Sequence, residues 1–208
     1  MKLDPFYLIV GGVDRLAPLL PLGVRLVQLR LKDTTPHDTR VQIIQARDLC
    51  ARHNVQLVVN DYWELALELG CNAVHLGQED MDRTDFNALR RADISFGLST
   101  HDDAELERAL SHDPAYVALG PVYPTLLKKM PWGPQGLERV ADWKRRCRDT
   151  PLVGIGGLTP QRLPGLFAAG ADCAAVVTDI QLADDPGVRT AQWVAATRGY
   201  APLTTANA

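Results

Sequence analysis

Two carboxylates stand just beyond consecutive apolar runs: Asp61 follows LVVN, and Asp80 closes the turn HLGQED. If those runs are neighbouring strands, both side chains reach one point. Octahedral Mg²⁺ is commonly held by one or two carboxylates with its remaining positions left to water and substrate phosphate, so the pair is a candidate magnesium site. Each aspartate alone also reads as a helix cap or turn residue; it is their matching placement after successive runs that favours the metal.

Positive and hydroxyl groups recur at comparable places. Gln28, Arg30 and Lys32 alternate through QLRLK, and a period of two puts all three on one face of an emerging strand, where guanidinium and ammonium groups could meet phosphate oxygens. By itself that pattern also fits a salt-bridge seam. Ser99, Thr100 and His101 follow another apolar run and offer hydroxyls and backbone N–H groups to a diphosphate. His101 has no acid partner in a triad order, and a structural or cap-like contact is expected of it. Gly156 and Gly157 end PLVGIGG, and Val177, Thr178 and Asp179 end the last run. Backbone at such glycines can approach an anion closely.

The elements that must position these groups follow from the hydrophobic pattern. Short, nearly continuous apolar runs at 6–10, 24–29, 55–59, 73–76, 94–97, 116–119, 152–155 and 173–177 predict eight strands covered on both faces. Helical spacing lies between them, as at 39–53, 102–110, 136–147 and 162–169, while 62–69 leaves room for about two helical turns. Asp102 is placed to cap one helix, Thr159 precedes Pro160 at a favoured first helical position, and Gly70 and Gly170 mark helix ends. Strict alternation predicts a single (β/α)₈ TIM barrel, whose strand C-termini form the active face and whose seventh and eighth loops cradle phosphate. The barrel is expected over residues 1–200, with 201–208 as a mobile tail. The segment 120–136 is too rich in proline and glycine for a regular helix, and its length suits a lid over the site.

Composition narrows the function further. The chain has 208 residues, 46% of them hydrophobic, and a formal charge of −3, which gives no bulk field for recruiting nucleic acid. No apolar segment approaches the roughly 20 residues that span a membrane. Cys50, Cys71, Cys147 and Cys173 lack zinc-knuckle or dithiol spacing and are expected to be reduced, packed thiols in a cytoplasmic protein. Neither GxGxxG nor GxxxxGK[ST] occurs, which disfavours a dinucleotide or ATP fold.

The ordered motifs QLRLK (28–32), VNDYWELA (59–66), VHLGQED (74–80), STHD (99–102), GPVYPT (120–125) followed by Lys128, VGIGG (153–157) and AGAD (169–172) resemble those of the thiamine phosphate synthase family over nearly the whole chain. The resemblance implies coupling of 4-amino-2-methyl-5-hydroxymethylpyrimidine diphosphate with 5-hydroxyethyl-4-methylthiazole phosphate, giving thiamine monophosphate and diphosphate. It implies Mg²⁺ at Asp61 and Asp80, and pyrimidine diphosphate contacts at Gln28, Arg30, Lys32, Asn60, Ser99 and Lys128. Thr125, Gly157, Val177 and Thr178 match the region that holds the thiazole phosphate. Arg30, Lys32 and Lys128 would stabilise the departing diphosphate, and a family-like homodimer is expected.

The chain departs from the family pattern in places. Where the family has a second threonine before the lysine, Leu127 precedes Lys128 and removes a hydroxyl from the thiazole phosphate anchor; Lys129 and the Met130, Pro131, Trp132 stretch are expected either to compensate for it or to reshape the lid. The first run ends YLIVGG, so Gly11 and Gly12 replace a polar ending, whereas Thr178 keeps a hydroxyl. Two other functions fit the same barrel: a thiazole tautomerase, and a noncatalytic binder of thiazole phosphate or thiamine phosphate. Retention of Asp61, Asp80 and Lys32 speaks for the synthase, because those groups serve a magnesium diphosphate.

Overall fold

A computed structural model describes residues 1, 3–125 and 133–200. Eight parallel strands close into a barrel in sequence order: β1 (Phe6–Val10), β2 (Leu26–Leu29), β3 (Gln56–Asn60), β4 (Ala73–Leu76), β5 (Ser95–Thr100), β6 (Tyr116–Leu119), β7 (Leu152–Ile155) and β8 (Cys173–Val176). β8 pairs with β1 through Phe6↔Ala174 and Leu8↔Val176, so no sheet edge is left exposed. The expected fold class is therefore the observed one.

Strand alternation divides the apolar residues into two layers. Phe6, Leu8 and Val10 join the outer layer beneath the helices, with Val27, Leu29, Val117 and Leu119. Tyr7 and Ile9 fill the interior with Leu26, Val58, Ala73, Tyr116, Ala118, Val153, Cys173 and Ala175. Because the interior is packed, only the strand ends can form a site. Gly97 shows how tight that packing is: a Cβ there would lie 2.0 Å from Cζ of the Tyr116 ring.

Local chemistry sets the helix starts. Thr35 caps Pro36–His53, its Oγ1 accepting from the Asp38 N–H at 3.1 Å, and Asp102 caps Asp103–Ser111 by accepting from Glu105 N–H at 2.9 Å. Gly70 (φ +67°) and Gly170 (φ +99°) adopt the left-handed turns expected after their helices. Trp63–Glu68 is as short as the spacing predicted.

Several boundaries differ by one to three residues, and two have a clear physical reason. The fifth strand runs on to Thr100 rather than stopping at Gly97, because the Thr100 hydroxyl is satisfied in the barrel wall: it donates to Ala118 O at 3.1 Å and accepts from Trp143 Nε1 at 2.9 Å. The helix predicted at 162–169 is preceded by a 3₁₀ turn, Pro160–Arg162, and is α-helical only over Leu163–Ala168; Thr159 makes no side-chain cap bond. Pro164 lacks an N–H and its ring opposes the carbonyl of residue 160, which breaks a continuous α-helix. The four cysteines are buried and free, as expected. The predicted tail at 201–208 lies outside the described residues, as does most of the expected lid.

Candidate active site

β3 and β4 are adjacent, with Asn60 opposite His75, and this register delivers Asp61 and Asp80 to one place at the strand C-termini. Asp61 has φ +66°, a left-handed conformation that aspartate tolerates, and its N–H donates to His75 O at 2.9 Å. The turn is thereby tied to the next strand and aims the carboxylate at the mouth. Asp80 lies in the short helix Gln78–Met81, and its Oδ2 accepts from Gly77 N–H at 2.9 Å. The cap function that each aspartate could have had singly is thus real for Asp80.

Its electrostatics set it apart from a simple cap. Burial raises the Asp80 pKa above the usual carboxylate range, and the neighbouring Asp61 carboxylate adds to that rise, against the opposing pull of Gly77 N–H and Lys32. Lys32 Nζ stands 3.1 Å from Asp61 Oδ2. Two carboxylates that repel each other beside one lysine form a donor set that a hard divalent cation would relieve. Among the described residues no group of three or more His, Cys, Asp or Glu side chains is arranged for a metal, so a cation here would draw its other oxygens from water and substrate.

Around the pair, polar groups are left without partners among the described residues. The Arg30 guanidinium makes no ion pair or hydrogen bond among the described residues, and it is exposed. Asn60 is 5% exposed, yet its amide has no partner among the described residues and is not sealed from solvent, so it opens on the mouth. The structure therefore brings Gln28, Arg30, Lys32, Asn60, Asp61, Asp80 and Ser99 to the ends of β2 through β5.

Across the mouth, Gly156 (φ +99°) and Gly157 (φ +62°) follow β7. A Cβ on Gly156 would meet Pro121 Cα at 2.6 Å, and one on Gly157 would meet Pro124 O at 2.4 Å. The glycines thus serve the close approach of the 121–124 segment as well as any anion. Thr125 follows Pro124 as the last described residue of that segment, and Val177 and Thr178 follow β8 at the same face. Asp179 is fixed by a two-pronged bond from Arg189, both at 2.8 Å, and by Trp193 Nε1 at 2.6 Å. Lys128, Leu127 and Trp132 lie outside the described residues.

Sequence reasoning missed Tyr7, His75 and Tyr116. Each sits within an apolar strand, yet together they form a buried polar chain. Gln28 Nε2 donates to Tyr7 OH at 3.0 Å, the Tyr7 and Tyr116 hydroxyls are 3.0 Å apart, and Tyr116 OH lies 3.0 Å from His75 Nδ1. His75 Nε2 completes the chain at 2.9 Å from Ser99 Oγ. Burial drives the His75 pKa down to about 4, so the imidazole is neutral near neutral pH. The available signal was phase: all three residues occupy the inward positions that also carry Gln28 and Ser99. His101, expected to be cap-like, binds Glu105 Oε2 through both Nδ1 and its backbone N–H at 2.8 Å.

A cavity of about 540 Å³ lies at the opposite end of the barrel, lined by Arg25, Arg47, Asn54, Gln56 and Asn72 among others, and holds none of the predicted site residues. The chemistry-bearing groups are at the strand C-termini.

Residues 7–180 match the family model described as thiamine monophosphate synthase. The chain is 56% identical over 197 residues to a thiamine-phosphate synthase of Rhizobium etli, covering 95% of this chain and 97% of that one. It is 45% identical over 186 residues to the Escherichia coli thiamine-phosphate synthase, covering 89% and 88%. A solved thiamine phosphate pyrophosphorylase from Pyrococcus furiosus superposes with a TM-score of 0.82 over 94% of this chain and 96% of that one; at 23% identity this likeness speaks for the fold. A family match spanning most of the barrel, together with relatives this similar over nearly their full length, establishes that the chain belongs to the thiamine monophosphate synthase family.

Proposed function

We propose that the chain joins an aminopyrimidine diphosphate to a thiazole phosphate, with Asp61 and Asp80 holding the magnesium diphosphate. The observation that carries this reading is the approach of the two carboxylates beside Lys32 Nζ, 3.1 Å from Asp61, at the mouth of the barrel. Bound there, Mg²⁺ would supply charge neutralisation to the diphosphate oxygens.

The protein's own groups act around it. Arg30 and Lys32, with Lys128 from the lid, stabilise the charge that grows on the diphosphate as the bond from the pyrimidine methylene to oxygen breaks. The electron-rich aminopyrimidine carries the resulting cation. Asn60, Gln28 and Ser99 orient that ring and its diphosphate. Thr125, Gly157, Val177 and Thr178 anchor the thiazole phosphate, so that the thiazole nitrogen faces the methylene and forms the new carbon–nitrogen bond. No protein nucleophile is needed; catalysis comes from charge and positioning, each tenfold gain requiring about 1.4 kcal/mol.

The test is to incubate the protein with both substrates and Mg²⁺ and to quantify thiamine monophosphate and diphosphate together. Equal amounts of the two are expected. Binding without diphosphate release would point instead to a noncatalytic binder, and isomerisation of a thiazole alone to the tautomerase class.

A further inference from the structure

The buried chain that joins Gln28 to Ser99 has a direction, and the direction decides what each end offers a ligand. Gln28 presents Nε2, which can only donate, so the Tyr7 oxygen accepts there at 3.0 Å. The one Tyr7 proton then goes to its other polar neighbour, Tyr116 OH. Tyr116 in turn donates its proton to His75 Nδ1. A neutral imidazole that accepts at Nδ1 carries its proton on Nε2, so Nε2–H donates to Ser99 Oγ. Ser99 thus accepts from within, and its own proton meets no acceptor among the described residues, which leaves it for a ligand. At the other end, Gln28 is only 2% exposed, yet Oε1 has no partner among the described residues and is not a sealed orphan, so it opens on the mouth.

We propose that Tyr7, Tyr116 and His75 are positioning residues whose one-way hydrogen-bond chain sets Ser99 as a donor toward a phosphate oxygen and Gln28 Oε1 as an acceptor for the exocyclic amine of the aminopyrimidine. The assignment of the ligand rests on the proposed function; the polarity of the chain does not. The reverse polarity would turn the Gln28 amide outward as a donor and present a Ser99 lone pair to an anion, and both would oppose that ligand. The fold is built around the chain: Gly97 leaves the space that the Tyr116 ring fills, and the ring stacks on His75 with centroids 5.6 Å apart.

The polarity is read from the unmodified, ¹⁵N-labelled protein by long-range ¹H–¹⁵N correlation, with His75→Gln used to assign the ring signals. A single Nε2–H tautomer is expected at His75; an Nδ1–H tautomer overturns the proposal. The positioning role is read in Tyr116→Phe, which removes one hydroxyl and keeps the ring over Gly97. The KM for the pyrimidine diphosphate is expected to rise about tenfold while that for the thiazole phosphate moves by less than about twofold, with cooperative melting retained. An unchanged pyrimidine diphosphate KM in the folded variant refutes the positioning role. If Tyr116→Phe fails to fold, Tyr7→Phe breaks the same chain one link earlier and is read by the same criterion. Should the unmodified protein release no diphosphate from the two substrates, the functional reading fails, and the tautomer still decides the chain.

Discussion

Asp80→Asn separates the needs of the fold from those of the chemistry. In the fold, Asp80 accepts from Gly77 N–H at 2.9 Å, and an asparagine oxygen accepts in the same way. The substitution also removes a carboxylate whose ionisation is opposed first by burial and then by the adjacent Asp61. Unfolding free energy in Mg²⁺-free buffer should therefore change by less than about 1 kcal/mol, and toward greater stability if at all. In the chemistry, one of the two carboxylates proposed to hold the cation is lost. Loss of one preorganised electrostatic group typically raises a barrier by about 3–4 kcal/mol, so kcat/KM should fall about 100- to 1,000-fold, with the Mg²⁺ saturation curve moved to higher concentration. Guanidinium unfolding and a thiamine monophosphate assay across a magnesium titration measure the two halves. Unaltered turnover at limiting Mg²⁺ would refute the metal assignment. A loss of stability matching the loss of activity would show that Asp80 serves the fold.

Other outcomes follow from the same geometry. Arg30→Gln should leave the melting temperature unchanged, because the guanidinium has no partner among the described residues, and should weaken pyrimidine diphosphate binding about 10- to 100-fold by calorimetry. Gly157→Ala should cost about 2–4 kcal/mol in chemical denaturation, since its φ is +62° and the added Cβ would meet Pro124 O at 2.4 Å. Burial pushes the Cys50 thiol up to about 12 and the Cys147 thiol to about 11, from an ordinary 9.0. Folded-state values raised in this way contribute stability that is intact below about pH 9 and lost as pH rises toward 11–12. Unfolding curves at pH 7.5 and 10.5 should show that loss, and Cys50→Ala should reduce it.

The barrel was legible because its strands are buried on both faces and so read as apolar runs, while capping residues such as Asp102 announce their helices chemically. The meeting of Asp61 and Asp80 was legible for a topological reason: consecutive parallel strands in a sequential barrel are neighbours, and residues just past their ends converge. Tyr7, His75 and Tyr116 were not, because a polar side chain in an apolar run gives no sign of its partner until the register places His75 and Tyr116 on either side of Gly97, and the inward phase brings His75 to Ser99. The end of β5 was missed because a serine and a threonine read as a loop, and only the bonds made by Thr100 show why they continue the strand. Likewise Gly156 and Gly157 suggested an anion cradle, whereas their close approach to Pro121 and Pro124 depends on a segment far away in sequence.

The central question is whether Asp61 and Asp80 hold a cation together with a diphosphate. Calorimetric titration of the pyrimidine diphosphate, with Mg²⁺ and then with EDTA, puts this most directly, using the unmodified protein and the Asp61→Asn, Asp80→Asn double variant. Asparagine suits the left-handed turn at residue 61, so the double variant should fold. Binding that needs Mg²⁺ and falls at least about 100-fold in the double variant is the predicted result. Equal affinity in EDTA, or in the double variant, would contradict it.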